Sequence, residues 1–148
     1  MRSFRYKKII KMAMINMQIM RYINLLNKIS RVKTRKCFIY NNIIIFAVPS
    51  RLVSKSIGPA GKNVKLIQEK LGKRIKVIKE AEGIGDVERF VEDIVEPVTF
   101  VSLEVKGDGV IITAGIRSKA ALLGRNKRRL AELSKIIEDY FGKELRIT

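Results

Sequence analysis

Two four-residue segments have the composition to hold a polyanion: Gly58-Pro59-Ala60-Gly61 and Gly124-Arg125-Asn126-Lys127. Glycines let a sugar-phosphate backbone approach closely, and a helix that starts just after such a loop offers unpaired N–H groups and the positive end of its dipole. Cations accompany both segments. Lys62 and Lys65 follow the first, with Asn63 between them, and Arg125, Lys127, Arg128 and Arg129 make the densest basic cluster of the chain at the second. Ile57 and Val64 flank the first segment and are candidates to line a groove for bases, although most apolar helix residues are simply core. The candidate contact residues are therefore Ile57 to Lys65 and Gly124 to Arg129. A plain helix-turn-helix connection is the competing reading of each loop, and Arg51, Lys55 and Arg117 are as readily solvated surface as extensions of a basic path.

The charge balance points to the same partner. Thirty-one Lys and Arg face 14 Asp and Glu, a formal net charge of +17 on 148 residues. The excess is uneven: residues 1–68 carry 15 basic groups and no acidic one, and Glu69 is the first carboxylate. Unopposed charge of this kind calls for a polyanion nearby, and nucleic acid is the expected one. With 47% hydrophobic residues the chain has apolar material for a core.

Several chemistries are excluded by what is missing. There is no His and a single Cys, Cys37, so Cys-His and Ser-His pairs, a structural zinc cluster and a disulfide within the chain are ruled out. Cys37 lies in the strand-like run Lys36-Cys37-Phe38-Ile39-Tyr40 and reads as a buried thiol. The carboxylates Glu80, Glu82, Asp86, Glu88, Glu92, Asp93 and Glu96 lack the glycine and fixed spacing of a calcium loop and read as a solvated helix face, available for a protein contact. No Walker loop is present. The expectation is a protein that is not an enzyme and that uses no metal, no cofactor and no small-molecule substrate. Tyr6, Tyr22, Tyr40 and Tyr140 are too scattered to form a stacking platform. Ile9 to Met20 is interrupted by Lys11, Asn16 and Gln18 and is too short to span a bilayer, so a cytoplasmic protein with no membrane partner is expected, a membrane-surface helix being the minor alternative.

The elements that must position the loops follow from periodicity. Ile19, Tyr22, Ile23, Leu26 and Ile29 mark one face of a helix over about 17–30. Strands at 37–40 and 43–48 flank Asn41-Asn42, a pair that suits a tight hairpin. A short helix over 51–57 leads into the first loop. A second helix carries Val64, Ile67 and Leu71 to a Gly72 cap, and 74–78 alternates as a strand. The order helix, strand, strand, helix, helix, strand then restarts: Val87, Phe90, Val91, Ile94 and Val95 keep helical spacing, Pro97 ends that helix, and strands are expected at 98–105 and 110–116 around Gly107-Asp108-Gly109. A helix over 118–123 precedes the second loop, Leu130, Leu133, Ile137 and Phe141 mark the helix after it, Gly142 caps it, and 145–147 is the last strand. A shift of 66 residues lays Ile44-Ile45-Phe46 on Val110-Ile111-Ile112 and Ile57-Gly58 on Leu123-Gly124, and a shift of 70 lays Leu71-Gly72-Lys73 on Phe141-Gly142-Lys143. The fold class is α+β: a basic N-terminal extension over 1–16, disordered or upstream of the natural start, then modules at 17–79 and 80–148 that share a buried interface.

A loop of the form G-x-x-G between two helices, in this element order and repeated, resembles the type II KH fold. Arg21-Tyr22-Ile23, Ser56 to Val64, and Leu71-Gly72-Lys73-Arg74-Ile75 resemble the archaeal NusA-like transcription elongation and termination factors, which are in essence paired KH modules. That resemblance implies binding of single-stranded RNA and association with transcribing RNA polymerase. The chain departs from the pattern twice. Pro59-Ala60 replaces a more usual basic residue and glycine, and Pro59 has no N–H to give a phosphate. Lys127 replaces the last glycine of the second loop, where positive φ would cost on the order of 1 kcal/mol, so a changed loop shape is expected there. The expected assembly is a monomer. A protein-binding scaffold with degenerate RNA loops, and a ribosome-assembly or RNA-processing factor, are the alternatives.

Overall fold

The computed structural model describes residues 4–148, with side chains from Asn16 onward. The expected extension over 1–16 therefore falls almost wholly outside the described side chains, as does Tyr6. Helix α1 runs Phe4–Ser30, longer than the apolar spacing indicated, since residues 4–16 contain no Pro or Gly to stop it. Arg31 ends it in the left-handed region (φ 64°), with Ser30 Oγ donating to the Leu26 carbonyl and accepting from Val32 N–H.

The first sheet holds β1 (Lys36–Tyr40), β2 (Ile43–Val48) and β3 (Arg74–Lys79) in that order. Asn41 and Asn42 both take positive φ, 51° and 61°, as a two-residue hairpin requires, and β1 and β2 are antiparallel. A 3-10 turn at Ser50–Leu52, helix α2 (Val53–Ile57), the first loop and helix α3 (Lys62–Leu71) make the crossover to β3. That strand lies parallel to β2, with Ile44 opposite Ile75. Gly72 caps α3 at φ 63°.

The second module repeats the plan. Helix α4 (Val87–Val95) precedes β4 (Ser102–Lys106), β5 (Gly109–Thr113), α5 (Ile116–Leu123), the second loop, α6 (Arg128–Phe141) and β6 (Glu144–Ile147). Sheet order, strand sense and register carry over: Val110 faces Leu145, where the two shifts of 66 and 70 put the counterparts of Ile44 and Ile75. β4 starts later than the apolar pattern suggested, because Pro97 to Phe100 form no ladder after the helix ends. α5 starts earlier, at Ile116, straight after Gly115.

The two modules share a core, and the first module has another of its own. On the first sheet, Cys37, Ile44, Phe46, Val48 and Ile75 pack against α1 and α3, with Tyr22, Leu26 and Ile67 buried among them. The alternate residues Phe38, Tyr40, Ile45, Ala47 and Ile78 join Phe90, Ile94, Leu133 and Ile137 of the second module. β2 is apolar at every position for this reason: both of its faces are covered. Phe38, Phe90 and Tyr140 meet edge to face at centroid distances of 5.6–6.0 Å across the boundary. Such pairs contribute about 0.5–1.5 kcal/mol each beyond their buried area. The helices α4 and α6 thus lie between the two sheets, and neither module could hide this surface alone.

Candidate nucleic-acid interface

Both loops sit where a short helix hands over to a longer one. In the first, Gly58 takes φ 80°, ψ 168°, Ala60 φ 53°, ψ 28°, and Gly61 φ 73°, ψ 20°; Gly61 N–H closes the turn on the Gly58 carbonyl at 3.1 Å. In the second, Gly124 takes φ 72°, ψ 174°, Asn126 φ 55°, ψ 30°, and Lys127 φ 56°, ψ 28°; Lys127 N–H closes on the Gly124 carbonyl at 3.2 Å. The expected change of shape at Lys127 is therefore corrected. The lysine adopts the left-handed conformation of the glycine it replaces, at a strain on the order of 1 kcal/mol.

The reason lies in the surroundings of each glycine. At Gly61 an added Cβ would meet nothing nearer than Lys65 Cε at 4.0 Å, so only the φ favours glycine and a side chain has room. At Gly58 a Cβ would lie 2.8 Å from Asn63 Cγ, and at Gly124 2.6 Å from Arg129 Cγ. Their φ and ψ also belong to a region that is essentially closed to other residues. The first glycine of each loop is obligatory on two counts, whereas the last position only favours glycine and is filled by Lys127 in the second loop.

The residues that crowd those glycines differ in what they hold. Asn63 Nδ2 donates to the Lys55 carbonyl at 3.1 Å, tying the first loop to its own helix α2. Its counterpart Arg129 reaches into the other module: Nη1 donates to Asn41 Oδ1 at 2.6 Å and Nε pairs with Glu132 at 3.0 Å, while Glu132 Oε1 accepts from Asn41 N–H at 3.0 Å. The tip of the first hairpin thus clamps the base of the second loop. The sequence held no signal for this, because Asn41 looks like an ordinary turn residue.

Side-chain placement separates the candidates. Pro59, Ala60, Lys62 and Lys65 are exposed around the first loop, and Arg125, Asn126, Lys127 and Arg128 around the second. Asn63 and Arg129 are half-buried supports. Ile57 is half-buried beside Gly58, whereas Val64 packs on the core of the first module. Arg51, Lys55 and Arg117 are exposed. A cleft of about 640 Å³ opens between the modules beside the second loop, lined by Tyr40, Asn41, Arg74, Lys76, Pro97 and Gly124 to Asn126 among others. Arg74 of β3 joins Arg125 and Arg128 there, and its arrival beside that basic cluster leaves no sequence pattern.

Other charged groups have structural employment. Lys76 Nζ donates to the carbonyls of Asp93 and Glu96 at 2.7 and 3.3 Å, closing the C-terminal end of α4. Burial lowers its pKa, and Glu96 and Asp93 oppose that shift. Arg89 donates to the carbonyls of Lys79 and Glu80 and to Asp93, pinning the connection between modules. Within the acidic stretch, Glu80 pairs with Lys36, Asp86 accepts from Glu82 N–H, and Glu88, Glu92 and Glu96 stay exposed. Cys37 is buried, and burial pushes its thiol up to about 12, so it stays protonated. Tyr22 and Tyr40 are buried in the two cores and offer no ring to a base. Among the described residues no helix is long and apolar enough to cross a membrane.

Comparison with known proteins locates the first loop in a family. Residues 43–92 match the KH domain, a span that runs from β2 through the first loop, α3 and β3 into α4. It implies RNA binding. A probable transcription termination protein NusA of Methanocaldococcus jannaschii is 28% identical over 120 residues, which cover 78% of this chain and 64% of that protein. The chain therefore spans under two thirds of that relative's length. The crystal structure of APE1850 is 27% identical and superposes with a TM-score of 0.62, covering 89% of this chain and 99% of that one. Family match and topology together describe an α+β protein of two tandem KH-like modules.

Proposed function

We propose that this chain binds single-stranded RNA with both loops at once and acts with RNA polymerase as a transcription elongation or termination factor, by binding and not by turnover. One observation carries the RNA reading: two loops of the same backbone conformation, each opening a longer helix and each ringed by exposed cations, are held rigidly in one molecule by a shared core. The first loop supplies Gly58, Ala60 and Gly61 as a low-profile backbone seat with Lys62 and Lys65 beside it. The second supplies charge, with Arg125, Lys127 and Arg128 reaching phosphates as point contacts or forks. Arg74 and the inter-module cleft lie beside the second loop and extend its basic surface. A KH loop handles about four nucleotides, so the pair would cover roughly eight. The transcription part of the proposal is supported by the likeness to the Methanocaldococcus jannaschii protein.

The test is fluorescence anisotropy with single-stranded RNA of about eight nucleotides over a salt series. Pro59→Asp/Ala60→Asp and Arg125→Asp/Lys127→Asp are compared with wild type, with circular dichroism as the folding control. Each pair should weaken binding well beyond the few-fold that altered net charge produces. Binding that follows net charge alone would defeat the clamp and favour a protein scaffold. Reconstituted transcription on a template with a pause or terminator separately tests the polymerase reading, as wild type and loop variants should differ in read-through.

A further inference from the structure

On the far end of α3 from the first loop, a groove of about 570 Å³ runs between α1 and the last turn of α3. Leu25 and Leu71 line it, and Arg21 and Lys28 from α1 meet Lys70 and Lys73 from the α3 end along its rims. Among the described residues none of these four cations has an ion-pair partner, and no carboxylate lines the groove. Four like charges gathered from two elements around an apolar strip are complementary to an acidic, partly apolar ligand.

We propose that this groove docks an acidic amphipathic segment of a partner protein. Protein is favoured over nucleic acid by two features. Met17 and Met20 are 69% and 56% exposed on α1, and helical spacing sets them beside Arg21, Asn24 and Lys28; adaptable thioether surface suits apolar side chains and gives a phosphate nothing. Among the described residues the groove is lined by one aromatic residue, Tyr22, and at 5% exposure it offers no ring to a base. A helix laid in such a groove would place leucine-like residues on Leu25 and Leu71 and carboxylates against the rims. The ten residues of α3 set the groove about 15 Å along the helix from the first loop, so RNA and this partner can be bound together. The proposal stands apart from the RNA reading and survives its failure.

The probe is a fluorescein-labelled synthetic helix of about 18 residues, with Leu at positions i, i+3, i+4 and i+7 and Glu elsewhere, alongside its Glu→Gln counterpart. Anisotropy with the full chain should show binding of the acidic peptide only. Arg21→Glu/Lys28→Glu should weaken it at least tenfold and Met17→Ser/Met20→Ser at least threefold, whereas Pro59→Asp/Ala60→Asp should leave it unchanged. All these positions are exposed, so the variants should keep their fold by circular dichroism. Amide shifts in NMR spectra should move at Lys28 and Leu71 on peptide addition. No binding at a protein concentration of about 100 µM, a weak-affinity ceiling, overturns the proposal. So do indifference to Arg21→Glu/Lys28→Glu, indifference to the methionine pair, or displacement of the peptide by the short RNA. Loss of short-RNA binding in Arg21→Glu/Lys28→Glu, with the peptide still bound, would reassign the groove to RNA.

Discussion

Gly58 and Gly124 occupy nearly the same point in backbone space, and the three residues after each follow the same course, yet the first loop presents Pro, Ala and Gly while the second presents Arg, Asn and Lys. In the proposed RNA complex the first would let a ligand backbone come near and borrow its charge from the helix that follows. The second carries charge on the loop itself, with Lys127 in the left-handed region. Their anchors differ as well: Asn63 fastens the first loop within its own module, and Arg129 fastens the second to the hairpin of the other. A loop backbone can thus be kept through a repeat while its side chains are exchanged, provided the one glycine with a steric reason is kept.

The sharpest break of that likeness comes at the obligatory glycines. Gly124→Ala should cost about 2–4 kcal/mol, because it combines a forbidden backbone region with a clash at Arg129, and Gly58→Ala should cost nearly as much. Urea unfolding read by circular dichroism checks both, and an equal, small loss at either site would mean that the loop relaxes around the methyl group.

Next in size are the charge contrasts. Arg125→Ala/Lys127→Ala should lower affinity for short single-stranded RNA at least tenfold at low salt, about 1.4 kcal/mol, and should flatten the salt dependence by about two phosphate contacts. Pro59→Ala should leave both the affinity and the salt slope nearly unchanged, since that proline brings neither charge nor N–H. The salt series that measures one measures the other.

Smaller effects sharpen the difference in anchoring. Asn41→Gly keeps the left-handed turn and removes only the acceptor of Arg129, so it should cost about 1 kcal/mol in stability. It should reduce RNA affinity in the wild-type background and have no effect once Arg125 and Lys127 are already alanine, a double-mutant cycle that isolates the second loop. Smallest of all, Lys127→Gly should stabilise the fold by up to about 1 kcal/mol while weakening RNA binding by a single contact, and Gly61→Lys should do the reverse. Opposite signs in stability and affinity at these two matched positions would show that the lysine is kept for its charge.

The same contrast between repeats extends to the sheets. The face of the first sheet that carries Phe38, Tyr40, Ala47 and Ile78 is covered by α4 and α6. Their counterparts in the second sheet are Glu104, Lys106, Thr113 and Thr148, and that face is open, with Glu104 and Lys106 paired at 3.6 Å in solvent. A repeated fold stacks only as far as its side chains permit, and here polar replacement ends the stack.

Much of this was legible in the chain itself. The apolar spacing, Gly72 and Gly142 as caps, Asn41-Asn42 as a hairpin turn and the 66- and 70-residue shifts are local patterns, set by backbone preference and by the period of each element, and they determine the repeated order and the position of both loops. The run Ile43–Val48 reads as a strand of a hairpin, and its burial on both faces emerged only from the packing. Tertiary structure decided the rest. That Lys127 can keep the glycine conformation depends on its exposed position, and that Gly58 and Gly124 cannot change depends on Asn63 and Arg129 folding beneath them. Arg129 meeting Asn41, Lys76 closing α4, and Arg74 sharing a cleft with the second loop all join residues far apart in the chain. Such contacts arise from how two sheets and their helices pack, and no local pattern along a single chain encodes which distant side chain will arrive.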